Sequence, residues 1–105
     1  MGQNLATTIT GLGGNQSALG VSAAAVIKTG PGTLYRITVL VPPSAGALVV
    51  NDLAATSGDL VTNEILNTAF GSLTDGQVIS LEWPCKVGIA ITSVGTGGVY
   101  SVSFS

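Results

Sequence analysis

The stretch 21–41 constrains this chain more than any other. Val21, Ala23, Ala25 and Ile27 fall on one face of a first run, and Tyr35, Ile37, Val39 and Val41 on one face of a second. That period of two is the pattern of a strand. The junction Lys28-Thr29-Gly30-Pro31-Gly32 is dense in turn formers, so the two runs read as one antiparallel hairpin. Pro42-Pro43 ends the second run, because proline lacks the N–H that a ladder needs. A hairpin of this kind commits the chain to β-structure and names no activity.

The rest of the chain continues the pattern. Residues 47–51 form a short run. Residues 60–68 read best as a strand with one helical turn as the alternative, since Leu60, Val61, Ile65 and Leu66 do not alternate. Residues 77–83 place Ile79, Leu81 and Trp83 on one face, with Pro84 closing the strand. Residues 86–92 align Val87, Ile89 and Ile91, and residues 99–105 set Tyr100, Val102 and Phe104 inward against Ser101, Ser103 and Ser105. Asp75-Gly76 and Gly95-Thr96-Gly97-Gly98 are turn signals. About eight short strands at this spacing predict an all-β fold, an antiparallel sandwich of jelly-roll or related Greek-key type. An immunoglobulin-like sandwich is the alternative, weakened by the missing cysteine pair. Residues 1–20 read as a flexible N-terminal arm with a short β segment at 5–10 and a Gly-, Asn- and Ser-rich loop at 11–20. Residues 21–105 form the single domain.

Composition narrows the role. Charged residues make up 8% of the 105 positions, against roughly 25% in ordinary globular domains. Ten serines, twelve threonines and 15 glycines must therefore supply the solvated surface. Little charge repulsion keeps copies apart, which favours association. The bases are Lys28, Arg36 and Lys86, with a net charge of −2, too few for duplex binders that neutralise about 6–10 phosphates. Residues 1–27 carry no charged side chain, but Asn4, Gly11, Gly13, Gly14, Asn15, Gln16 and Ser17 interrupt any membrane span, and no basic leading segment marks export. The expectation is a soluble protein made and used without export, with no nucleic acid or membrane partner.

Catalytic constellations are scarce. With no histidine and one cysteine, neither a Ser-His-Asp nor a Cys-His arrangement is available, and neither is an imidazole metal site. Cys85 reads as a small buried hydrophobe. Gly11-Leu12-Gly13 begins a dinucleotide fingerprint that fails at Gln16. Glu64 and Glu82 are the one candidate carboxylate pair for glycosidase-type chemistry, and read more simply as solvated residues. Asn51, Asp52 and Asp59 offer oxygens for calcium, but match no ligand spacing and read as turn residues. No catalytic, cofactor or metal residue is assigned.

The outward faces of the hairpin are more informative. Leu34, Arg36 and Leu40 on the second run and Ala24 and Val26 on the first are too apolar for a solvated sheet face. Either both faces are covered within the monomer or one is an interface; the interface is the favoured reading, formed by these five residues, because a short chain with few loops has little left to cover it.

Several stretches resemble the short virion proteins of tailed bacteriophages: residues 21–32 (VSAAAVIKTGPG), Asn51-Asp52, Leu81-Glu82-Trp83-Pro84-Cys85 and the Gly95–98 turn. The resemblance covers most of residues 21–103, leaves 58–76 unmatched, and is a pattern of strands and turns with no site motif. It implies a virion structural role, that of a capsid decoration, or cement, protein. Such a protein self-associates as a homodimer or homotrimer and binds the phage major capsid protein on the outer capsid surface. The alternative is a head-fibre or tail module that binds a receptor or glycan through Trp83 or Tyr100. That alternative requires one of the two rings to be exposed, whereas the alternation places both inside.

Overall fold

The computed structural model describes residues 16–105, which carry eight strands. These are β1 (Gln16–Val21), β2 (Ala25–Thr29), β3 (Gly32–Val41), β4 (Ala47–Asn51), β5 (Glu64–Ala69), β6 (Val78–Cys85), β7 (Gly88–Ser93) and β8 (Val99–Phe104). Short 3-10 turns at Val61–Asn63 and Phe70–Ser72 flank β5. The ambiguous stretch 60–68 thus resolves into a helical turn followed by a strand. The short β segment expected at 5–10 lies outside the described residues.

The strands form two antiparallel sheets of four, ordered β1-β8-β3-β6 and β2-β7-β4-β5. Strand 1 pairs with 8, 2 with 7, 3 with 6 and 4 with 5. This is a long antiparallel ribbon rolled up until β8 meets β3 and β7 meets β4. That order is a jelly roll, as the strand count and alternation predict.

Rolling the ribbon overturns the expected hairpin. β2 and β3 do not pair with each other. They lie in opposite sheets, and residues 30–31 cross between them. The physical reason is that alternation reveals which side chains share a face and says nothing about which strand lies alongside. Gly30, at φ +89, sends its N–H to the Val87 carbonyl at 2.9 Å. The junction is therefore anchored to the β6–β7 connection and not closed on itself. The arm is corrected too: residues 16–21, read as loop apart from Val21, form an edge strand on β8.

The core fills from both sheets. Leu34, Ile37, Val39, Tyr100, Val102 and Phe104 from the first pack against Leu48, Val50, Ile89 and Ile91 from the second. Tyr100 is fully buried and its hydroxyl donates to the Val94 carbonyl at 2.9 Å, which satisfies the phenol inside an apolar layer. The inward assignments of Tyr100, Val102 and Phe104 agree with the structure. Of the three residues aligned on 86–92, Ile89 and Ile91 are buried together, whereas Val87 is exposed in the turn before β7.

Two bulges lie side by side across the first sheet and break the expected alternation. Leu34 and Arg36 face Phe104 and Ser103 on β8, so Tyr35 is an extra residue on β3. On β6 the same two residues face Trp83 and Ser80, leaving Leu81 and Glu82 opposite Tyr35. Glu82 adopts φ +50, a left-handed conformation that costs a residue with a Cβ about 1–2 kcal/mol. The bulge turns Leu34 inward, so that it shares the core with Ile37 and Val39 despite its odd spacing from them.

Candidate functional site

A groove of about 450 Å³ opens where the edge strands β5 and β6 meet the β6–β7 turn. In a rolled ribbon these two strands are the outermost members of their sheets on the same side, so their rims face each other. The 3-10 turn before β5 contributes Thr62 and Asn63, and β5 contributes Glu64 and Ile65. The opposite wall is Trp83 and Pro84 of β6, continued by Lys86 and Val87. Pro84 does not close β6 as expected, because an edge strand tolerates a residue without an N–H.

Both walls are held by polar side chains from the end of β4. Asp52 accepts three backbone N–H groups from the turn: Lys86 on Oδ2 at 2.9 Å, and Val87 and Gly88 on Oδ1 at 2.8 and 3.0 Å. Its own N–H donates to the Asn63 carbonyl at 2.8 Å. Asn51, fully buried, donates from Nδ2 to Asn63 Oδ1 at 2.6 Å and to the Leu60 carbonyl at 3.4 Å. Its Oδ1 accepts from Thr92 Oγ1 at 2.6 Å. Asn63 completes the knot, accepting the Leu60 N–H at 3.0 Å and donating to the Gly58 carbonyl at 3.2 Å. The connection 52–60 then crosses β7 so closely that a Cβ at Gly88 would collide with the Leu53 carbonyl.

Burial raises the Asp52 pKa, but the three backbone N–H donors and the charge of Lys86 outweigh it, leaving the carboxyl below its ordinary 3.8. A group depressed in the folded state contributes stability in full above its unfolded pKa and loses it as pH falls through the folded value. Urea midpoints should therefore drop below about pH 4, and Asp52→Asn should flatten part of that drop. An equal acid dependence in the variant would show that the carboxylate contributes nothing. Cys85 faces the other way chemically. Burial, then the Asp52 charge, pushes its thiol up to about 11, and it stays an unreactive core thiol.

The sequence-predicted candidates separate here. Glu64 lines the groove, where it accepts a long 3.4 Å bond from Asn67. Glu82 sits exposed in the bulge and does not line the groove. The two carboxylates are not brought together in it. Asn51 and Asp52 have their oxygens committed to protein donors, and among the described residues no three His, Cys, Asp or Glu side chains gather to hold a metal. Trp83 is 49% exposed and Tyr100 fully buried, which corrects the expectation that both lie inside.

The expected interface also divides. Leu34 is buried in the core and cannot be a contact residue. Arg36 and Leu40 are exposed on the first sheet, whereas Val26 lies on the second sheet and Ala24 in the bend leading into it. The crossing between sheets separates the pairs, and the bulge removes Leu34. The groove itself was not legible as a unit, since its walls come from stretches far apart in sequence; the one available signal was Asp52, the polar partner at the end of an apolar run.

Comparison with protein-family models, with curated proteins and with solved structures finds no match to this chain.

Proposed function

We propose that this chain is a non-enzymatic structural protein of a tailed-phage virion, a decoration protein that self-associates and binds the major capsid protein on the outer shell. The observation that carries the reading is an apolar corner on a nearly chargeless face. Thr38 faces Val78 across β3 and β6, which sets Leu40 diagonal to Val78, with Val41 beside it. All three apolar side chains are exposed. Their neighbours along the same face include Ser80, Ser101 and Ser103, with Arg36 the one cation among them. Such a face loses little on leaving water, and each apolar Å² buried returns about 25 cal/mol. The jelly roll recurs among capsid domains, and the virion resemblance of residues 21–103 points the same way. Binding specific to the assembled shell would stabilise that shell by mass action.

Mass spectrometry of purified heads should find the protein in many copies, and heads carrying it should survive heating that opens bare heads. Leu40→Asp should lower occupancy on heads at unchanged circular dichroism. Heads that lack the protein, or withstand heat equally without it, overturn the reading. A second reading, a head-fibre or tail module for a receptor or glycan, is favoured by the half-exposed Trp83.

A further inference from the structure

We propose that the groove between β5 and β6 is a subsite for a neutral sugar residue, stacked on Trp83 and oriented by Glu64, Thr62 and Lys86. The inference rests on the second reading above and supplies its ligand class. Trp83 lies in the same register row as Leu34 and Phe104, both buried, yet stays half exposed because β6 is the sheet edge. With Pro84 next to it in the groove wall, the indole offers an apolar surface of the kind that sugar C–H faces cover. Around it stand a carboxylate that accepts, an ammonium that donates and a hydroxyl that does both, the set that reads sugar hydroxyls. The volume of about 450 Å³ falls in the range of about 300–1,000 Å³ for small-molecule sites.

Charge selects within the class. Asp52 and Glu64 outnumber Lys86 at the groove, so an anionic ligand gains nothing on entering. A peptide added as a strand is disfavoured as well. β6 lacks an N–H at Pro84 and is bulged at Glu82, and both features spoil an edge as a template. The Asp52 and Asn63 hydrogen bonds hold the walls before any ligand arrives, which limits the ordering cost of binding.

Trp83 is the sole tryptophan of the chain, so its fluorescence reports this groove alone. The wild-type protein should be titrated with glucose, galactose, mannose, N-acetylglucosamine and their disaccharides, and with glucuronic and N-acetylneuraminic acids as acidic probes. At least one neutral sugar should give a saturable shift with a millimolar Kd. Saturation-transfer NMR should then show a loss of affinity of about tenfold in Trp83→Ala and a several-fold loss in Glu64→Gln. If Trp83→Ala fails to fold, Glu64→Gln and Thr62→Val decide, since both positions are at the surface. Saturation by the acidic probes alone overturns the neutral class and leaves a glycan-binding role standing. No saturable change with any probe up to about 50 mM, or unaltered binding in Glu64→Gln and Thr62→Val, overturns the site.

Discussion

Asn51→Leu should destabilise the isolated protein by about 3–4 kcal/mol, although leucine matches the apolar surroundings of β4. Among the described residues Asn51 is the one buried amide side chain, and it satisfies three partners. Leucine would take from the Thr92 hydroxyl its 2.6 Å acceptor, leaving it a 3.4 Å bond to the Val49 carbonyl, and would leave the Leu60 carbonyl and Asn63 Oδ1 each with one donor in place of two. Three lost hydrogen bonds at about 0.5–1.5 kcal/mol each account for most of that cost. The damage should spread locally, because the same network sets the 3-10 turn that starts β5. Amide exchange at Leu60 and Asn63 should quicken more than exchange in β8. Asn51→Asp should be no rescue: a carboxylate accepts from Thr92 but cannot donate to Asn63 or Leu60. Thr92→Val, which removes one donor, should cost about 1 kcal/mol. An urea-derived loss below that for Asn51→Leu would mean that the loop does not depend on Asn51.

That network marks a boundary of what a single sequence discloses. The alternation of Tyr100, Val102 and Phe104 declares a half-buried strand, since burial on one face leaves a period of two; Ile89 and Ile91 keep that period in the sequence although Ala90 between them is buried as well. Eight such runs at short spacing point to a rolled sandwich. Asn51, Asp52 and Asn63, by contrast, look like ordinary turn residues; only the fold brings the third back beside the first two. Partner choice is equally invisible. The turn formers at residues 28–32 suit a hairpin and a crossing between sheets alike, and Gly30 serves the crossing because Val87 lies within reach. Alternation misplaces Trp83 for a related reason. Its row is the inward one, but the sheet ends at β6, and a row position says nothing about how many strands lie beyond.

Leu34→Asp should unfold the isolated protein, while Leu40→Asp should leave its stability within about 1 kcal/mol of wild type. The two leucines lie six residues apart on β3, and uninterrupted alternation would put both on the outer face. The structure separates them: Leu34 is 0% exposed and Leu40 41%. An aspartate at 34 would be a carboxylate facing the Phe104 row with no cation paired to it, costing several kcal/mol whether it stays charged or takes up a proton. That approaches the whole stability of a domain this size, about 5–15 kcal/mol. An aspartate at 40 reaches water and acts only on whatever the apolar corner touches. The pair therefore tests the bulge at Tyr35 directly, because slipping that one residue back into the ladder would turn Leu34 outward. Thermal melts of the two variants decide it: a cooperative melt for Leu34→Asp near the wild-type temperature would sink the bulge. A fall in sedimentation mass for Leu40→Asp at unchanged melting would locate the proposed self-association at the Leu40, Val41 and Val78 corner, where the fold has no use for three exposed aliphatic side chains.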